Sequence, residues 1–143
     1  MTDLSVKVMG LKLKNPLIVG SCGYTDSASS IKKLEEAGAG AVVLKSLFEE
    51  QIMNDSYDII GNINEQFSHP ELGDYVRYFE EKDAVSNYLT LIRDAKAAVQ
   101  IPVIASINCG SFDKWVQFAS EIEKAGADAI EINYYLLPSD PAV

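Results

Sequence analysis

Polar residues stand at the ends of four short apolar runs: Ser21 after "LIVG", Lys45 and Ser46 after "AVVL", Ser106 and Asn108 in "IPVIASIN", and Asn133 after "AIEI". Lys45 closes an otherwise apolar run, so it brings a fixed cation to whatever lies there; the competing reading is a lysine that has reached solvent and pairs with Glu49 or Glu50. Asn133 carries both a donor and an acceptor, which suits a ring edge or a carboxylate-bearing ligand, or else caps a loop. Tyr134 and Tyr135 follow immediately. A tyrosine acts as an acid only if its ordinary pKa near 10 is lowered, and the pair otherwise packs around the mouth of the site. Cys22 and Cys109 also lie just beyond apolar runs, but no helix-borne histidine accompanies either, so both read as buried or loop thiols rather than nucleophiles. His69 is the single histidine and sits in the turn "SHPE", so no metal site is expected. Neither a GxxxxGKS phosphate loop nor a GxGxxG after a strand is present.

The elements that must position these residues are marked by a repeat. "EEAGAGAVVLK" at 35–45 and "EKAGADAIEIN" at 123–133 each read as a helix end, a glycine in the left-handed cap position and a buried strand. "VKVMGLKLKNP" (6–16) alternates around Gly10 and predicts a small opening hairpin. "LIVG" (17–20), "AVVLK" (41–45), "IPVIASI" (101–107) and "AIEIN" (129–133) are too short and too apolar for helices and read as strands buried on both faces. Helices are predicted between them. One follows Asp26 or Ser27 as N-cap, with Ile31, Leu34 and Ala37 on one side; one spans 86–99, with Leu89, Ile92, Ala95 and Ala98 or Val99; one follows Ser111, with Trp115, Phe118, Ala119 and Ile122. Strands alternating with helices require parallel pairing and right-handed crossovers, hence an α/β fold, either doubly wound or a (β/α)8 barrel. In both architectures ligands bind at the C-terminal ends of the strands, where the polar residues fall. The stretch 47–85 is far longer than an ordinary βα loop and reads as an inserted loop or lid, or as a surface excursion.

Composition narrows the partners. The 143 residues, 48% of them apolar, suffice for one core, so 1–143 is read as a single domain. A net charge of −9 repels a long anionic backbone, so no nucleic-acid partner is expected. No apolar run approaches the roughly 20 residues that span a bilayer. The N-terminus "MTDLSVKVMG" has no apolar signal region and the cysteines are only two, which together suggest a cytoplasmic protein with free thiols and no membrane partner. A closed barrel takes about 250 residues, so the chain is expected to be half of one, completed by a missing C-terminal half or by a second copy in a homo-oligomer.

The segments "VMGLKLKNPLIVGSCG", "VLKS", "IPVIASINCGS" and the strand ending "EIN", in that order, resemble the N-terminal half of the dihydroorotate dehydrogenase family. With "SLFEEQI" after the second strand and a tyrosine pair after the fourth, the chain is most similar to the divergent dihydroorotate dehydrogenase-like branch. The resemblance implies the N-terminal half of a TIM (β/α)8 barrel, four parallel strands behind an opening hairpin. It also implies an FMN-dependent oxidoreductase acting on a CH–CH bond of a small anionic or heterocyclic substrate, with a place in pyrimidine biosynthesis. Gly20 and Ser21 would approach the flavin through main-chain groups, Lys45, Ser46 and Asn108 would lie beside its ring, and Asn133 would bond flavin or substrate. The flavin phosphate in such barrels is held after strands seven and eight. The chain departs from the family where a Cys or Ser normally removes the substrate proton: the counterpart is Leu136 in "NYYLLPSD", and leucine accepts no proton. Tyr134, Tyr135, Ser139 and Asp140 are the polar residues nearby, the two tyrosines joining Lys45 as catalytic candidates. Two rival readings remain open: a lyase or isomerase without redox cofactor, using Lys45 as a Schiff base, and an inactive half-barrel assembly module.

Overall fold

The computed structural model describes residues 2–48, 70–108 and 112–133. The opening hairpin pairs β1 (Val6–Val8) with β2 (Leu11–Leu13) in antiparallel register, Val8 facing Leu11. Its two-residue turn needs positive φ at both positions. Met9 (52°) and Gly10 (80°) supply it. The chain then builds one parallel sheet from β3 (Ile18–Val19), β4 (Ala41–Val43), β5 (Leu47–Phe48), β6 (Val103–Asn108) and β7 (Ala129–Ile132). The helices are α1 (Ala28–Glu36), α2 (Pro70–Ala98) and α3 (Phe112–Ala125).

The expected four parallel strands are present, the second of them in two pieces. β4 and β5 both pair with β6, the first at Val42↔Val103 and Val43↔Ile104, the second at Leu47↔Ile107 and Phe48↔Asn108. Val43 and Leu47 are four residues apart while their partners Ile104 and Ile107 are three apart. One extra residue is therefore accommodated between β4 and β5, the signature of a β-bulge, which breaks the in-out alternation and re-aims side chains. Leu44 still donates its amide to Ile104 O at 2.8 Å, so the bulge falls on Lys45 and Ser46.

The apolar positions fill two layers. Val42, Leu44, Val103, Ala105 and Ile107 turn one face of the sheet to Ile31 of α1, Ile92 and Ala95 of α2, and Phe118 and Ile122 of α3. On the opposite face Ala41, Val43 and Ile104 pack with Leu13 and with Val6, Val8 and Leu11 of the hairpin. β4 and most of β6 are thus apolar on both faces because both faces are covered. β3 and β7 each pair with a single neighbour among the described residues, and Ile18 and Ile132 on them are exposed. This is the N-terminal half of a (β/α)8 barrel, an open parallel wall with helices on one side.

The repeated phrase has the same geometry in both copies. Gly38 (φ 105°) and Gly126 (φ 97°) take the left-handed conformation. Ala39 N–H bonds Leu34 O (3.0 Å) and Ala127 N–H bonds Ile122 O (3.3 Å), which satisfies helix-end carbonyls in Schellman fashion. Two helix boundaries differ in detail from expectation. Ser27 is the N-cap of α1, but its hydroxyl bonds Ser30 Oγ (3.0 Å) rather than the helix amides. The helix predicted over 86–99 begins at Pro70, so the excursion read as 47–85 opens with β5 and closes inside α2. The stripe read at Leu89, Ile92, Ala95 and Ala98 or Val99 covers only the C-terminal part of this helix. Residues 49–69, with Glu49, Glu50 and His69, and the side chain of Trp115 lie outside the described residues.

Candidate functional site at the C-terminal ends of the strands

Each parallel strand delivers one or two polar side chains to the same rim. After β3 the loop is stitched by Thr25, which is fully buried: its hydroxyl bonds Cys22 O (2.9 Å) and accepts the Cys22 amide (3.1 Å). Thr25 O in turn receives the Lys45 amide (3.1 Å), and Ser21 Oγ receives the Ser46 amide (2.8 Å). The two amides that the bulge removes from the ladder are thereby given acceptors. The bulge is held to the β3 loop, and Ser46 Oγ lies 2.9 Å from Ser21 Oγ.

From there the contacts run across the sheet. Ser46 Oγ is 2.7 Å from Ser106 Oγ on β6. Ser106 Oγ donates to Glu131 Oε1 on β7 at 2.7 Å. Asn133, just past β7, donates its amide to Ser106 Oγ (3.0 Å) and Ser46 Oγ (3.4 Å). Ser106 is fully buried, and its main chain is clamped by Tyr88 of α2, whose hydroxyl donates to Ser106 O (2.9 Å) and accepts Ser106 N–H (2.7 Å). This tyrosine replaces a second strand partner for Ser106. Burial pushes the Tyr88 phenol up to about 12, with the Glu131 carboxylate adding to the shift and the Ser106 backbone bond opposing it.

The expected site residues occupy different places on this rim. Ser21, Ser46 and Asn133 join one hydrogen-bonded network. Lys45 stands beside it with an exposed side chain and no ion pair among the described residues. It lines a cavity of about 250 Å³ with Asp26, Ser46, Leu47, Asn87 and Tyr88. Asn108 ends β6 opposite Phe48 and takes no part in the network among the described residues. Gly20 is exposed, and a Cβ added there would meet no atom within 4 Å, so no packing contact among the described residues requires glycine. Cys22 is a half-buried free thiol. Tyr134, Tyr135, Leu136, Ser139, Asp140 and Cys109 lie outside the described residues.

In the sequence Ser106 shows only as a polar residue at the end of an apolar run, and Glu131 and Tyr88 do not stand out as site residues. The period-2 pattern holds the signal for Glu131, which shares a face with Asn133 and pairs in register with Ser106. Tyr88 had none, because an aromatic residue on a helix stripe reads as core.

The rim thus has hydroxyls, an amide, a carboxylate and a nearby ammonium, but no three His, Cys, Asp or Glu side chains placed to hold a metal among the described residues. No family model matches the chain. Among known proteins it is similar to the catalytic subunit of dihydroorotate dehydrogenase B (NAD(+)) of Thermoplasma volcanium, at 29% identity over 140 residues covering 93% of this chain and 42% of that protein. It is also similar to dihydroorotate dehydrogenase A (fumarate) of Limosilactobacillus reuteri, at 32% identity, covering 91% of this chain and 41% of the other. The crystal structure of an IMP dehydrogenase/GMP reductase-like protein from Corynebacterium glutamicum superposes with a TM-score of 0.50 at 13% identity, over 96% of this chain and 37% of that one, a likeness of fold. No helix among the described residues is long and apolar enough to cross a membrane. The chain spans about two-fifths of the length of the relatives it matches, and over nearly all of its own length it is similar to the N-terminal part of the dihydroorotate dehydrogenases.

Proposed function

We propose that this chain is the N-terminal half of an FMN-dependent oxidoreductase acting on a CH–CH bond of a small anionic or heterocyclic substrate. The observation that carries the reading is the convergence of Ser21, Ser46, Ser106, Glu131 and Asn133 from four successive parallel strands into one network at the ligand end of the wall. Relatives named as dihydroorotate dehydrogenases support the reaction class.

The residues fit a flavin in their chemistry. Gly20 leaves open space where a side chain would stand, Lys45 supplies positive charge, and Ser21, Ser46, Asn108 and Asn133 supply polar groups around it. When bound, FMN supplies a hydride acceptor whose reduced form is anionic. Lys45 favours that charge, as a preorganised cation does wherever charge develops. Asn133 has its amide nitrogen engaged with Ser106 and Ser46, so its Oδ1 is the atom left to accept from a ligand. The bulge and the Thr25 loop keep Ser46 and Lys45 from sliding along the strand.

The test is an anaerobic titration of the chain with FMN, followed by dihydroorotate as the probe substrate. The reading expects saturable flavin binding, weakened about tenfold or more in Lys45→Met, and bleaching of the visible flavin band by the probe. Absence of saturable binding, or a borohydride-trapped carbonyl adduct on Lys45 in its place, contradicts it.

A further inference from the structure

Hydrogen-bond direction in the rim network is determined by one residue. An ionised carboxylate only accepts, so Ser106 must give its hydrogen to Glu131 Oε1. Ser106 Oγ has then no hydrogen for Ser46, and Ser46 must donate to it across the 2.7 Å contact. By the same logic Ser21 donates to Ser46 across 2.9 Å. The acceptor sites fill in turn. Ser106 Oγ takes Ser46 and Asn133, and Ser46 Oγ takes Ser21 and Asn133. Ser21 Oγ takes the Ser46 amide and keeps one lone pair. Ser21 is exposed, whereas Ser106 is fully buried, so the acceptor position of this hydroxyl chain that is left over among the described residues opens at the rim.

We propose that Glu131 is the terminal proton acceptor of the site, reached from the substrate through the hydroxyls of Ser21, Ser46 and Ser106. The proposal rests on reading the rim as a site of CH–CH oxidation, and it supplies the base that Leu136 cannot. The proton leaving the substrate carbon bonds to Ser21 Oγ while the Ser21 hydrogen passes to Ser46, the Ser46 hydrogen to Ser106, and the Ser106 hydrogen to Glu131 Oε1. Each serine ends with one hydrogen as it began, Glu131 ends neutral, and the electron pair of the broken C–H bond forms the C=C bond as the neighbouring substrate carbon gives up its hydrogen as hydride to a bound acceptor of the flavin class. The three hops span contacts of 2.9, 2.7 and 2.7 Å, short enough for transfer without rearrangement of heavy atoms. Tyr88 holds the Ser106 main chain in place and faces Glu131 from α2; it stays protonated across the working range and does not compete as an acceptor. Ser21, Ser46 and Ser106 are positioning residues for Glu131 except where Ser21 itself meets the substrate.

Two measurements on the full chain separate this proposal from the reaction assignment. In rapid mixing of the FMN-loaded chain with dihydroorotate, flavin reduction should slow on acidification as Glu131 takes up a proton. Glu131→Gln should abolish that limb and slow reduction about 100-fold or more, the scale of one acid–base group. Ser46→Ala should do the same and Ser46→Thr, which keeps the hydroxyl, should restore the rate. An unaltered rate and pH profile in Glu131→Gln overturns the proposal. If the unaltered chain is not reduced at all, the reaction assignment fails, and the relay is read without flavin by carbon NMR titration of labelled Glu131. There Ser46→Ala should move the Glu131 titration through the intervening Ser106 while Ser46→Thr leaves it in place. A titration indifferent to Ser46→Ala overturns the relay.

Discussion

The two ends of the parallel wall use polar residues in opposite ways. At the N-terminal end side chains satisfy the backbone. Glu35 Oε1 accepts the amides of Gln100 and Ile101 (2.9 and 3.1 Å), and Asp128 Oδ2 accepts the Val103 amide (2.8 Å) and pairs with Lys96 (2.7 Å). Asn15 spans the loop before β3, bonding Gly38 O (2.9 Å) and Leu17 N–H (3.0 Å). At the C-terminal end Thr25 and Tyr88 still hold main chain, but Ser21, Ser46, Ser106, Glu131 and Asn133 bond one another, and Asp26, Lys45 and Ser46 line a cavity. The first arrangement stabilises the fold. The second leaves polar capacity for something else, which is the division expected between the bottom and top faces of a barrel.

Substitutions that break the comparison should therefore act on stability at one end and on ligand chemistry at the other. The largest stability loss is expected for Gly40→Ala, because the added Cβ would collide with the carbonyl of Asn15 and crowd its side-chain oxygen. A loss of about 3 kcal/mol in chemical denaturation follows from overpacking against backbone, with the flavin affinity of the folded fraction unchanged. Tyr88 gives the next effect, and it depends on pH. Its phenol is pushed up to about 12 in the folded chain against an ordinary tyrosine value of about 10, so between those values the folded state retains a proton that the unfolded state has released. The stabilisation is therefore complete below pH 10 and is lost as pH rises towards 12, a fall of about 2–3 kcal/mol that Tyr88→Phe should remove. At neutral pH the same variant should cost about 1–2 kcal/mol, since the Ser106 amide and carbonyl lose their partner.

How much of this division could be read from the residues depends on which rule governs each. The strands, their parallel order and the rim came through because apolar runs, left-handed glycines and polar run-ends are local signals, and Gly38 and Gly126 behave as their repeated phrase implies. The bulge at Lys45 and Ser46 was not legible, because one extra residue appears only when the register against β6 is known. Glu131 escaped notice because its partner Ser106 is 25 residues away, and a pairing across strands leaves no trace in either segment alone. The hairpin's inward face is likewise set by tertiary packing rather than by propensity.

Smaller effects sharpen the contrast. Asp128→Ala should cost about 1–2 kcal/mol, most of it from the unpaired Val103 amide rather than from the half-exposed pair with Lys96, and should leave FMN binding intact. Ser21→Ala should change stability by no more than about 0.5 kcal/mol, because the side chain is exposed, while slowing substrate-driven flavin reduction.

The proposed ligand site is the C-terminal rim rather than any other face. Amide NMR of the labelled chain during FMN addition tests it directly. The expected result is saturable movement of Gly20, Ser21, Lys45, Ser46, Ser106 and Asn133 with Glu35, Gln100 and Asp128 still. Movement confined to the second group, or no movement at saturating flavin, would contradict it.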